Sequence, residues 1–401
     1  MSTRPTEAQL RWQRAGFGLF LHFGVNTFNG VEWSDGTLPA SSFDPTSCDP
    51  RQWVETAVAA GARYVVLTAK HHDGFCLWPT ATTDYSVRAS PWRGGRGDVV
   101  RLLTDACAEA GIGAGLYLSP WDRNAACYAD PAAYDDFYAA QLTELCTQYG
   151  ELAELWFDGA GSEGREYDWD RYMAVVDRHQ PDAMVFNMGR PTIRWVGNED
   201  GIAADPVEYV TAVTRRSVYA TEDDGLADLR YLPPECDVPI RANWFWQPDD
   251  LDSLKSRDQL LEIWYRSVGL GAGLLLNVPP DRRGLTDERD RARLLELTDE
   301  LARRFRDPLP ATLEQVAPGV VRASWPQPVR LDHLELREDL GDGQRVDRHE
   351  VVADGAVVAA GRTVGVRRVH AVPVVTTREV LVHLTEGARL ESVTGYLSGS
   401  S

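Results

Sequence analysis

Apolar residues in the first three-quarters of the chain follow two spacings. Short, nearly continuous apolar runs alternate with longer segments whose apolar positions recur every three or four residues. The short runs are "FGLFLHFG" (17–24), "YVVLTAK" (64–70), "GAGLYLS" (113–119), "ELWFD" (154–158), "AMVFNM" (183–188) and "GLLLNVP" (273–279). A further run, "VPIRANWFW" (238–246), is rich in aromatics. The helical spacing occurs in "CDPRQWVETAVAAG" (48–61), "DVVRLLTDACAEAG" (98–111), "YDDFYAAQLTELCTQYG" (134–150), "WDRYMAVVDRHQ" (169–180), "DQLLEIWYRSVGLG" (258–271) and "RDRARLLELTDELARRF" (289–305). Segment 48–61 has Asp near its start and Gly at its end, which are helix start and stop signals. Strands alternating with helices predict βαβ units and a parallel sheet. About eight such units over roughly 300 residues fit a (β/α)8 TIM barrel better than an open doubly wound sheet. No Gly-rich dinucleotide fingerprint opens a helix after the first strand.

The pattern changes after "RDPLPATLEQVAPG" (306–319), a Pro-rich segment expected to be a linker. Beyond it lie short alternating runs such as "HLELRED" and "REVLVHL" without helical periodicity. They predict an antiparallel β-sandwich. The expected organisation is a (β/α)8-like catalytic domain over residues 1–308 and a C-terminal β-sandwich over 309–401.

Net charge is −19 in a chain of 401 residues. That excludes a basic nucleic-acid-binding face and suits a protein handling a neutral small molecule or glycan. The first residues, "MSTRPTEAQLRWQRAGFG", contain no apolar core of a signal peptide. No apolar run approaches membrane-spanning length. A cytoplasmic protein without membrane contact is expected. The six cysteines, at 48, 76, 107, 127, 146 and 236, form no CxxC pair and are expected to be reduced.

In a parallel barrel the chemistry sits at the C-terminal ends of the strands. Here those ends carry His22, then His71 and His72, then Tyr117 followed by Trp121 and Asp122, then Asp158 with Trp156 two residues before it. Glu199 follows in "IRWVGNEDG", and three aromatics in "NWFW". Taken singly, each has a bland alternative. A strand-end His can be structural, Asp158 a turn residue and Glu199 a solvated loop carboxylate. Three histidines and Asp158 could also suggest a metal-dependent hydrolase. However, a barrel metal site usually shows His-x-His on one strand, whereas this pair is adjacent. The residues call for no metal and no cofactor. Two carboxylates among imidazoles and indoles fit glycoside hydrolysis, in which one group attacks and the other transfers protons.

The series "FGLFLHFG", "EW" (32–33), "YVVLTAKHHDGFCLW", "GLYLSPWD", "ELWFDGA", "WVGNEDG" and "LLLNVPPDRRG" resembles the retaining α-L-fucosidases of glycoside hydrolase family 29. The resemblance implies an enzyme that releases terminal L-fucose from fucosylated glycans. It implies Asp158 as nucleophile and His22, Glu32, Trp33, His71 and His72 as binders of the fucose hydroxyls. Tyr117 and Trp156 would line the pocket around the nucleophile. Glu199 matches the acid/base of the subgroup acting on α-1,3 and α-1,4 branches, and Trp244 would lie near the C6 methyl. The chain departs from that pattern at Asn243 and Trp246, where the subgroup has Gly and Tyr, and this bears on aglycone preference. The rival expectations are a catalytically inactive protein that binds fucosyl glycans and a metal-dependent barrel hydrolase. Oligomeric state is not legible.

Overall fold

The computed structural model describes residues 2–399. The first part contains strands β1 (Phe17–Leu21), β2 (Tyr64–Lys70), β3 (Gly113–Leu118), β4 (Glu154–Trp156), β5 (Met184–Phe186) and β6 (Arg194–Trp195). A hairpin of β7 (Val210–Thr214) and β8 (Asp224–Tyr231) follows, then β9 (Pro234–Pro239) and β10 (Gly273–Asn277). Leaving out the hairpin, these strands form one parallel sheet in the order β5-β4-β3-β2-β1-β10-β9-β6. Among the described residues, a lone bridge from Phe186 to Ile193 closes the circle between β5 and β6. The predicted (β/α)8 barrel is therefore present, with one thin seam. Its helices are α1 (Glu7–Ala15), α2 (Val25–Asn29), α3 (Pro50–Ala59), α4 (Val99–Ala110), α5 (Pro131–Gln148), α6 (Trp169–His179), α7 (Arg257–Arg266) and α8 (Glu288–Phe305).

Local sequence explains these boundaries. Asp49, Asp98, Asp130, Asp168 and Asp287 each accept a backbone N–H at a helix start, satisfying donors that the helix leaves free. Alternation along the strands sorts side chains into two cores. Leu19, Leu21, Val65 and Leu67 pack outward against the helices. Phe20, Tyr64, Val66, Tyr117, Trp156, Phe186 and Trp195 fill the barrel. Gly18 makes this possible, because a Cβ there would lie 2.5 Å from the Tyr64 ring. Helix α1, started by a Thr6–Gln9 capping box, inserts Trp12 into the base of the barrel. The Trp12 indole donates to Glu154 at 3.1 Å.

Three features depart from the sequence reading. The aromatic-rich run at 238–246 is a strand only at its start, where β9 (Pro234–Pro239) ends, and residues 240–246 form a loop. The two prolines sit at the strand's ends, where a missing N–H costs little. The hairpin β7–β8 was not foreseen; its pairing is local and leaves many of its residues exposed. Segment 306–319 is not a free linker, since β11 (Leu309–Pro310) and β12 (Thr312–Ala317) occur inside it. They pair with later strands.

The remaining strands are β13 (Val320–Glu338), β14 (His349–Ala353), β15 (Ala356–Gly361), β16 (Arg368–Leu384) and β17 (Leu390–Tyr396). All seven, β11–β17, belong to one antiparallel sheet. Bulges in the long β13–β16 pairing bend strands, and the sheet wraps a core that includes Leu334, Leu336, Val351, Val380 and Val393. It is attached to the barrel by the Arg368–Asp205 ion pair at 2.8 Å and the Tyr265–His333 hydrogen bond at 2.8 Å. All six cysteines are free. Among the described residues no helix is long and apolar enough to cross a membrane.

Candidate active site

A cavity of about 280 Å³ opens at the C-terminal ends of the strands. His22, Glu32, Trp33, His71, His72, Trp156, Asp158, Glu199 and Trp244 all line it. These residues come from distant parts of the chain, and the barrel brings them together. Tyr117 is fully buried beneath them, hydrogen-bonded to Asp158. Among the described residues, none that lines the cavity comes from the C-terminal sheet.

Strict alternation along β2 would place His71 and His72 on opposite faces. A register shift between Thr68 and Lys70 breaks that alternation. Lys70 turns out into the helix layer, where its ammonium meets Asp122 and Gln141 at 2.9 Å each. His71 and His72, just past the strand end, both face the cavity, with ring centroids 4.2 Å apart.

The hydrogen bonds behind the imidazoles set their tautomers. Ser119 Oγ donates to the Trp121 carbonyl at 2.6 Å, so it accepts from His72 Nδ1 at 2.7 Å. His22 Nδ1 donates to Asn277 Oδ1 at 2.9 Å. In both rings Nε2 is left as a bare acceptor. Burial pushes the pKa of His22 and of His72 down to about 3. His71 is also held well below the ordinary imidazole range, by burial and then by the other two rings. The histidines are thus neutral acceptors suited to hydroxyl donors. Among the described residues, no three His, Cys, Asp or Glu side chains converge as metal ligands do.

Asp158 sits just beyond β4. Its Oδ1 accepts the Ala160 amide at 2.8 Å and its Oδ2 the Tyr117 hydroxyl at 3.1 Å. His72 Nε2 lies 3.6 Å from Oδ2. Burial raises the carboxyl's pKa, and the two hydrogen bonds oppose that rise. Trp156 forms the floor, stacked on Phe186 at 3.9 Å and on Tyr117 at 5.3 Å.

Glu199 stands on the exposed rim, in the loop after β6. Partial burial raises its pKa first, and the charge of Asp158 adds to the rise; a hydrogen bond from Trp244 opposes both. Glu32 accepts the backbone N–H groups of Trp244 and Phe245 at 3.0 and 3.2 Å. Burial lifts its pKa to about 7. It anchors the aromatic segment while lining the cavity.

Several supporting residues escaped the sequence reading. Asn277 joins the end of β10 to His22 and to the Trp244 carbonyl, at 2.8 Å for the latter. Asp237, on β9, lines the cavity and accepts the Trp195 indole at 2.6 Å. Buried Arg241 pairs with Asp250 at 2.8 Å, Asp287 at 3.2 Å and Asp290 at 2.9 Å, fixing the loop that carries Trp244. Arg216, Ser217, Val218 and Tyr219 reach the cavity from the unpredicted hairpin. An aspartate at a barrel strand's inner position was the available signal for Asp237. The others depend on long-range contacts.

The α-L-fucosidase family model matches residues 32–304, more than half of the chain. Alpha-L-fucosidase 1 of Arabidopsis thaliana is 46% identical over 295 residues, covering 71% of this chain and 58% of its own length. The chain therefore spans less than two-thirds of that relative. Putative alpha-L-fucosidase 1 of Oryza sativa subsp. japonica is 37% identical over 437 residues, covering 98% and 84%. The crystal structure of a putative alpha-L-fucosidase from Bacteroides ovatus superposes with a TM-score of 0.92 at 39% identity, covering 99% of this chain and 74% of its own. A Ruminococcus gnavus GH29 fucosidase solved with fucose superposes with a TM-score of 0.86 at 26% identity, covering 99% and 95%. Sequence, fold and the acid-and-imidazole cavity agree: the chain belongs to the α-L-fucosidase family, glycoside hydrolase family 29.

Proposed function

We propose that the protein is a retaining exo-α-L-fucosidase that removes terminal L-fucose from α-1,3- or α-1,4-linked branches by double displacement. The observation that carries this reading is that Asp158 and Glu199 share one cavity in different settings. Asp158 is held at its base by two hydrogen-bond donors, which favour the carboxylate against the rise that burial imposes. Glu199 stands at the mouth, with its proton affinity raised by burial and by Asp158.

In the first step ionised Asp158 attacks the anomeric carbon, and the bond to the glycosidic oxygen breaks as Glu199 protonates that oxygen. A fucosyl ester on Asp158 and an ionised Glu199 result. In the second step Glu199 takes a proton from water, whose oxygen displaces Asp158 and restores the original configuration. Asp158 supplies the nucleophile and Glu199 the proton, so neither step needs a cofactor. The bare nitrogens of His22 and His72 accept from sugar hydroxyls. Apolar surface from Phe20 and Trp244 favours a 6-deoxy sugar over one with a 6-hydroxyl by about 1–3 kcal/mol. Residues 1–308 form the catalytic domain in this reading, and 309–401 a sandwich that buttresses it.

Hydrolysis of a Lewis-type trisaccharide, an α-1,2-fucosylated glycan and an aryl α-L-fucoside, followed by proton NMR, tests the proposal. The branched trisaccharide should be the preferred glycan, and α-L-fucose the first anomer released. Initial release of the β anomer overturns the retaining mechanism. Preference for the α-1,2 linkage overturns the linkage assignment.

A further inference from the structure

The hairpin between β7 and β8 is the part of the site that no motif announces. Its tip carries Tyr219, 60% exposed, and Val218, 41% exposed. Tyr219 packs edge-on against Trp33 with ring centroids 5.7 Å apart. Trp33 is itself 39% exposed and meets Trp121 at 5.4 Å and His72 at 5.2 Å. A continuous aromatic surface therefore runs from the cavity wall at His72 out to the hairpin tip. Exposed apolar side chains gathered at a binding cavity mark an interaction surface, and pyranose C–H faces pack on aromatic rings much as other apolar groups do.

The tip is held in place from below. Asn187, in a left-handed conformation (φ 65°), donates its amide to the Arg215 and Arg216 carbonyls at 2.9 and 3.2 Å. Arg216 pairs with Asp224 across the hairpin, with Nε to Oδ2 at 3.0 Å. Gly159, next to Asp158, leaves room for this approach, because a Cβ there would lie 2.3 Å from the Arg216 carbonyl oxygen. The hairpin is thus packed against the loop that bears the proposed nucleophile.

We infer that Tyr219 and Trp33 form a platform for the sugar ring of the leaving group, so that the hairpin selects a saccharide aglycone. This rests on the fucosidase reading above and adds the element that recognises what fucose is attached to. A small leaving group such as fluoride occupies the inner cavity alone. A branched saccharide extends over the rim and covers Tyr219.

The test compares α-L-fucosyl fluoride with a Lewis-type trisaccharide, using wild type, Tyr219→Ala and Tyr219→Phe. Tyr219→Ala should lower kcat/KM on the trisaccharide roughly 10-fold, equivalent to about 1.4 kcal/mol, chiefly through KM. The fluoride should be cleaved at the wild-type rate. Tyr219→Phe keeps the ring and should retain most activity on the trisaccharide. Unchanged trisaccharide kinetics in Tyr219→Ala overturn the platform. Equal losses on both substrates also overturn it, because Tyr219 would then act on the fucose site itself. Wild-type protein inert towards both substrates overturns the fucosidase reading and the platform with it, a failure recognised by the intact fluoride.

Discussion

Tyr117 and Asp158 are joined by one hydrogen bond, the buried phenol donating to Oδ2 at 3.1 Å. A donor to the carboxylate favours its charged form and lowers the pH at which it ionises. Tyr117→Phe removes that donor and leaves the ring stacked on Trp156. The acid limb of kcat/KM should move up by about one pH unit, the scale of a hydrogen bond to a charged group. A pH–rate profile checks this; an unmoved acid limb counts against ionised Asp158 as the group that must be deprotonated.

Removing Asp158 itself tests the proposed covalent step. Asp158→Gly should abolish turnover of an aryl α-L-fucoside. Azide, small enough for the vacated space, should restore part of it and give β-fucosyl azide. The product's anomeric configuration is read by NMR. Near-normal kcat in the variant would rule out the assigned nucleophile.

Glu199 and Asp158 are coupled through charge, and the coupling has a sign. The Asp158 carboxylate raises the Glu199 pKa, so neutralising it should let Glu199 release its proton at lower pH. In Asp158→Asn the Glu199 carboxyl, followed by carbon NMR, should titrate below its wild-type midpoint. In parallel, Glu199→Ala should slow substrates with poor leaving groups by about 100-fold or more and activated ones far less. Equal losses on both would exclude an acid role.

Deep in the barrel, Glu154 and Glu235 form a buried carboxyl pair. Tyr64 and Trp156 donate to Glu235 at 2.6 and 3.2 Å. Burial and mutual repulsion hold Glu154 well above the ordinary carboxylate range, and burial raises Glu235 as well. Both acids keep protons in the folded chain at pH values where the unfolded chain has lost them. Stability from this pair is therefore full below the ordinary carboxylate pKa of about 4.3 and is lost as pH rises through the folded values. Glu154→Gln cannot ionise. Its melting temperature should fall by a few degrees less than wild type between pH 5 and pH 8. Parallel melting curves would show that Glu154 holds no extra proton in the folded chain.

The barrel and most of its mouth were legible because periodicity and strand-end position are local properties. The runs at 17–24, 64–70, 113–119 and 154–158 contain β1 to β4, and His22, His71, His72 and Asp158 follow from where those runs stop. Less legible was anything decided by partners far along the chain. The two-residue β6 has no periodicity to detect, yet Glu199 depends on it. The bulge before Lys70 cannot be seen in "LTAKHH", although it breaks the alternation just ahead of both imidazoles. Asn277 and Arg241 look like ordinary polar residues until the loop they hold is in place. The segment 306–319 misled because proline is common both in linkers and on edge strands.

The seam at Phe186–Ile193 separates the two acids mechanically. Asp158 extends from β4, which is bonded on both sides, to β3 and to β5. Glu199 extends from β6, which is paired along its length to β9 alone. In the proposed reaction the attacking group would stand on a strand paired on both sides and the proton carrier on one whose ladder runs to β9 alone. Amide hydrogens from 193 to 199 should therefore exchange with solvent sooner than those of β3 and β4, and any yielding of the rim to a bulky substrate should begin on the Glu199 side.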